Sequence, residues 1–281
     1  MVRIITDTTA VLPPEIARRH NIAVIPQIIH FGEESFAEGI DLDADGFLQR
    51  LTSSKQLPKT AAPPPDLFIE QFQKLATAGE PILCLHPSAD VSGTVRSANL
   101  ARSEFPNLDI RVLDTRTVGT PLGQMVEMAA EWAAAGESVD AILGRLDGLI
   151  PRCRIYFLVA TLEYLAKGGR IGGASALVGT VLQIKPILEF RDGKVEPLER
   201  ERTHKRALAR LKELVAENAA PGDEARVSIM HAGVPEEGRA LAKDLQAQLK
   251  LSRTPEVATV PPAIITYSGP GLLGAGFFTR E

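Results

Sequence analysis

The sequence predicts an α/β protein. Residues 1–153 form an N-terminal unit with a mainly parallel sheet flanked by helices, and residues 154–281 an α+β unit. Three observations carry this. Short apolar runs alternate with helix-period stretches up to about residue 150, the pattern of βα units whose strands pair in parallel. Beyond residue 153 the alternation gives way to two strand-like runs joined by Arg191-Asp192-Gly193, a hairpin signal. The 281 residues suffice for about two domains, and 44% hydrophobic against 23% charged residues is a globular balance that needs no covalent staples.

Along the chain, residues 2–6 read as a first strand with Asp7-Thr8-Thr9 at its carboxyl end. Pro13-Pro14 then opens a helix whose apolar positions are Ile16 and Ala17. Residues 22–31 are a second strand-like run. An acidic, turn-rich stretch, 32–43, leads to a helix marked by Phe47, Leu48 and Leu51. A proline-rich loop, 57–65, carries Thr60, and Phe68, Phe72 and Leu75 recur at helical spacing until Gly79.

Residues 82–85 are a short apolar run between Pro81 and Pro87, as in a buried strand, and Val95, Ala98 and Ala101 follow at near-helical spacing. The turn between them holds Ser92-Gly93-Thr94. In an open parallel sheet such turns lie at the carboxyl ends of the strands, where ligands bind, and free N–H groups at a helix start receive anions. This turn is therefore read as the holder of an acidic group. Residues 110–114 are a further strand ending at Asp114; Leu122, Met125, Val126, Ala129, Trp132 and Ala133 form a helical stripe, and Ser138 caps the next helix.

In the second unit, 155–160 is a strand and the short helix after Thr161 stops at Gly168-Gly169. Residues 173–182 read as a small-residue helix, and 184–190 with 194–198 as the hairpin. Helices follow around Leu211 and Leu245. Strands are expected at 226–231, 256–260, 264–267 and 272–279, the last two around Gly269-Pro270-Gly271.

The composition also excludes. A net charge of −4 gives no basic footprint for nucleic acid. No signal-peptide core opens the chain and no stretch reaches the roughly 20 apolar residues of a membrane span, so a cytoplasmic protein is expected. Cys84 and Cys153 lie in apolar runs, as buried free thiols do. There is no phosphate-binding glycine loop, and no Gly-x-Ser-x-Gly elbow surrounds Ser92. The five histidines lack metal-ligand spacing. His86 reads as structural or as a base. Asp7 and Asp114 each close a strand, as caps or as a carboxylate pair. Arg170 and Arg202 are solvated charges or recognise a carboxylate or phosphate.

Six segments, in order, resemble the DegV family of bacterial fatty-acid-binding proteins. They are Ile4-Ile-Thr-Asp-Thr-Thr, Asp90-Val-Ser-Gly-Thr-Val-Arg-Ser-Ala, Val112-Leu-Asp-Thr, Thr161-Leu-Glu-Tyr-Leu-Ala-Lys-Gly-Gly-Arg-Ile, Leu182-Gln-Ile-Lys-Pro-Ile-Leu with Asp192-Gly193, and Gly269-Pro-Gly. The resemblance implies a long-chain fatty acid in a tunnel between the two units, with no other cofactor. Its carboxyl group would lie at the Ser92-Gly93-Thr94 turn, with Thr60, Ser92 and Tyr267 as hydroxyl partners. A separate ATP-dependent fatty acid kinase would make the acyl phosphate for phospholipid synthesis, with Arg170 and Arg202 facing it, so the chain itself would not be an enzyme. Two positions depart from the family pattern: Thr60-Ala61-Ala62-Pro63 replaces Thr-Ser-Gln-Pro, and Tyr267 stands where many members have histidine. The rival reading is a Ser92-dependent acyl hydrolase or transferase using His86, Asp7 or Asp114.

Overall fold

Among the described residues thirteen strands form, in chain order: β1 (Arg3–Asp7), β2 (Ala23–Ile25), β3 (Ile28–Phe31), β4 (Glu34–Ala37), β5 (Lys59–Ala61), β6 (Ile82–His86), β7 (Ile110–Asp114), β8 (Cys153–Leu158), β9 (Lys185–Arg191), β10 (Lys194–Glu201), β11 (Ser228–His231), β12 (Glu256–Thr259) and β13 (Leu273–Phe278). The computed structural model describes residues 1–54, 56–76, 79–178 and 184–280.

The first sheet has the order β2-β1-β6-β7 and is wholly parallel. Alternation decides what covers it, because successive strand residues point to opposite faces. Ile4, Leu83 and Leu85 pack with Leu122, Met125 and Val126 of helix Thr120–Ala134. Ile5, Ile82 and Cys84 pack instead with Phe68 and Phe72 of helix Pro65–Ala76 and Ala98 of helix Thr94–Arg102. Phe68 and Phe72 are fully buried, each a gain of about 1.5–3 kcal/mol over exposure.

The second sheet runs β10-β9-β8-β13-β11-β12, antiparallel except for β11 with β12. Tyr156, Leu158, Ile187 and Phe277 face helices His204–Asn218 and Pro235–Leu249. Ile155, Phe157, Leu188 and Phe190 face the other way, toward Ile29, Phe31, Phe47 and Leu51. Those last residues belong to a small antiparallel sheet, β4-β3-β5, and to helix Ala44–Ser53.

Four expectations are corrected. The run 22–31 is two strands in different sheets, broken at Pro26-Gln27, because proline has no N–H for a ladder. Thr60 lies in β5, which pairs with β3, not in a structureless loop. Residues 264–267 belong to helix Pro262–Ser268 rather than a strand: Pro262 stands in its first turn, and a short apolar run does not distinguish helix from strand by period. The small-residue helix is a 3-10 segment, Gly172–Leu177, and the remainder of that prediction, with Leu182 and Gln183 of the motif, lies partly outside the described residues. The hairpin is as expected, Asp192 and Gly193 turning with φ of 51° and 86°.

Candidate functional site

The turn from β6 into helix Thr94–Arg102 supplies Ser92. Thr94 is fully buried behind it and Gly93 is the exposed N-cap, so of the three only Ser92 lines the adjoining cavity. Ser92 Oγ lies 2.8 Å from Thr94 Oγ1 and also accepts the Thr94 N–H at 3.3 Å. Thr94 Oγ1 accepts from Gln27 Nε2 at 3.0 Å, and the same nitrogen donates to Asp7 Oδ1 at 2.9 Å. Asp7 closes β1. It also accepts from the Thr9 N–H and hydroxyl, and lies 2.8 Å from His86 Nδ1. Asp114 accepts from the backbone of Ala89 and Arg116. Asp7 and Asp114 thus anchor different partners, and His86 is packed away against Asp7 and the edge of Phe68.

Opposite the turn, Thr60 on β5 and Tyr267 on helix Pro262–Ser268 share a hydrogen bond of 2.6 Å. The Tyr267 ring lies where a side chain on Gly168 would be, 2.3 Å from a Cβ built there, so a glycine is required by close approach. Arg170 covers the other side, its guanidinium carbon 4.4 Å from the ring centroid, a cation–π contact. Its Nε donates to Val91 O at 3.2 Å, joining this group to the Ser92 turn, and its Nη1 to Gly168 O at 2.8 Å. Arg202 is exposed at the end of β10 and does not line the cavity.

The open space of the cavity, counted together with its solvent-filled mouth, is about 900 Å³. Its deeper walls are apolar: Ile155, Phe157, Phe190, Met230, Ile264 and Leu272 come from the second sheet and the helix beside it. Polar groups are Thr9, Gln27, Thr60, Ser92, Arg170, Tyr267 and Ser268. Such a site suits a molecule with a long apolar body and one acceptor-rich end. Among the described residues no set of His, Cys, Asp and Glu could hold a metal ion, and no helix is long and apolar enough to cross a membrane.

Two positioning groups escape sequence reasoning. Gln27 is a polar residue interrupting an apolar run, a signal that could have singled it out. Glu38 resembles its exposed neighbours in the acidic stretch, yet it is 1% exposed. Its carboxylate accepts the Ala263 N–H at 2.5 Å and the Thr8 hydroxyl, pinning the start of the helix that carries Tyr267. Burial pushes its carboxyl up to about 7, against the lowering effect of those two bonds. Both cysteines are free and buried; burial raises both thiols, Cys153 to about 12.

The hairpin tip seats on the same turn from outside. Ser88 Oγ donates to Gly193 O at 2.9 Å and Arg116 donates to Asp192 O, while Arg116 and Lys194 both approach Asp90. A Cβ on Gly193 would stand 2.6 Å from Ser88 Oγ.

Known proteins share this arrangement. A family model described as "Uncharacterised protein, DegV family" matches residues 1–280. A DegV domain-containing protein from Streptomyces coelicolor is 37% identical over 282 residues, 99% of each chain. Two solved structures superpose with a TM-score of 0.91. One is of a DegV family protein from Thermus thermophilus described for its fatty acid binding, 30% identical with 99% of each chain covered. The other is of a fatty acid binding DegV family protein from Streptococcus agalactiae, 31% identical and covering 100% of this chain and 99% of its own. Matched almost end to end by the family's model and by its members, in sequence and in fold, the chain belongs to the DegV family.

Proposed function

We propose that the chain carries a long-chain fatty acid in this cavity, with the carboxyl group held by Thr60, Ser92 and Tyr267, and presents that group to a separate fatty acid kinase for acyl-phosphate formation. The observation that carries the reading is an apolar cavity whose hydroxyls are knitted together at the Ser92 turn by Arg170, in a fold shared with relatives described as fatty acid binding. Apolar walls reward an acyl chain at about 0.8 kcal/mol per buried methylene, and hydroxyl donors offset the desolvation of its carboxylate.

Arg170 at the carboxyl end and exposed Arg202 are the proposed kinase-facing charges. The proposed units, 1–153 and 154–281, are supported by a parallel sheet completed at Asp114 and a six-stranded sheet that starts at Cys153. Free buried thiols fit a cytoplasmic setting. A carrier rather than a hydrolase is favoured by the bonding of Ser92: its hydroxyl bonds to Thr94, and no histidine nitrogen bonds to it among the described residues.

Organic extraction of the purified protein followed by mass spectrometry tests the reading. One fatty acid per chain, or stoichiometric uptake of added palmitate or oleate, is expected; a protein that yields none and takes up none refutes it. Loaded protein incubated with a fatty acid kinase and ATP should give acyl phosphate trapped by hydroxylamine, and turnover of acyl esters by the protein alone would refute the carrier role.

A further inference from the structure

We infer that Gln27 sets the direction of the hydroxyl relay that ends at Ser92, so that the head site selects an acceptor-only group, a carboxylate, over an alcohol. The inference rests on the fatty-acid reading above and names the residue that gives that site its preference.

The argument begins at Asp7, which four groups approach: the Thr9 N–H and hydroxyl, Gln27 and His86. Carboxylate oxygens only accept, so the end of the Gln27 amide facing Asp7 is its NH₂. One hydrogen of that group goes to Asp7 and the other to Thr94 Oγ1. Among the described residues the partners of fully buried Thr94 Oγ1 are Gln27 Nε2, which cannot accept, and Ser92 Oγ, so the Thr94 hydrogen goes to Ser92 Oγ at 2.8 Å. Ser92 Oγ also receives the Thr94 N–H. With both of its lone pairs occupied by Thr94, Ser92 has only its hydrogen to offer the cavity. A hydrogen fixed in that sense, in a relay whose bonds polarise one another, meets a carboxylate in a charge-assisted bond. Gln27 and Thr94 are 3% and 0% exposed, so water does not scramble the order.

Two substitutions act on the direction differently. In Gln27→Glu the side chain can spend at most one proton, on Asp7, so Thr94 must donate to residue 27 and Ser92 to Thr94, turning a Ser92 lone pair toward the ligand. Thr94→Val in the same background removes the relay and frees the Ser92 hydrogen again. A negative charge added at residue 27 acts on the ligand whether or not Thr94 is present.

The test measures displacement of a fluorescent fatty acid by palmitate and by 1-hexadecanol from the full chain, with thermal unfolding of each variant. The wild type should prefer palmitate. The palmitate-to-alcohol affinity ratio should fall about tenfold or more in Gln27→Glu and return to within about threefold of Thr94→Val in the double variant. An unchanged ratio, or a fall that persists fully in the double variant, overturns the inference. Should Gln27→Glu fail to fold, Gln27→Met, neutral and similar in size, should lower the ratio about threefold, and an unchanged ratio again overturns it. A wild-type chain that binds neither ligand refutes the fatty-acid reading, and the inference with it, before any variant is made.

Discussion

Thr60 Oγ1 and Tyr267 Oη meet at 2.6 Å although 207 positions separate them in the chain. One of the two hydrogens is spent between them, leaving one to point into the cavity. Tyr267→Phe removes the hydroxyl and keeps the ring under Arg170. Acid binding should weaken by about 1 kcal/mol. Thr60→Val in the same chain should then cost much less than it does alone, because its partner has gone. Binding titrations of the two single variants and the double check this, and strict additivity would refute the pair.

Ser92→Ala should weaken palmitate binding by roughly 1–3 kcal/mol, the range for a hydrogen bond to a charged group. Calorimetry of the wild type and the variant measures it. Unchanged affinity would remove Ser92 from the head site.

Glu38 predicts a pH dependence. Its folded pKa, about 7, stands above the ordinary 4.5, so the native state binds the proton more tightly than the unfolded chain. The stabilisation is full below about 4.5 and is lost as pH rises through about 7, a decline of roughly 3 kcal/mol from this group. Glu38→Gln does not titrate, so its stability relative to wild type should climb between pH 5 and pH 8. Denaturant unfolding across that range measures the difference, and a pH-independent offset would contradict the burial argument.

Gly193→Ala combines a left-handed φ of 86° with a Cβ 2.6 Å from Ser88 Oγ. Stability should drop by about 1–3 kcal/mol as the hairpin tip lifts from the Ser92 turn. Thermal unfolding, with palmitate affinity in parallel, reads both effects; a neutral variant would show that the contact does not hold the turn.

Short apolar runs, helical spacing and the Asp192-Gly193 turn suffice to read the parallel sheet, its helices and the hairpin, because each is a local signal. Thr60, Ser92 and Tyr267 follow as hydroxyl partners from the family resemblance, and all three line one cavity. What stayed hidden was set by distant partners. Residues 264–267 read as a strand from their short apolar run, and the helix that forms instead is pinned at its start by Glu38, 225 positions from Ala263. Pro26-Gln27 sends a single apolar run into two sheets. Thr94, expected at the ligand, is buried behind Ser92, since its bond to Gln27 depends on a contact across 67 positions.

The position of β13 bears on how this protein is made. It lies between β8 and β11, so the two parts of the second sheet cannot join until residues 273–278 have left the ribosome. Until then Phe157, on β8, lacks its neighbour β13, leaving an apolar surface of the kind that draws chains together. Pairings between strands so far apart in sequence also form slowly. The second sheet is therefore completed only by the last strand of the chain, which makes its closure a late event in synthesis.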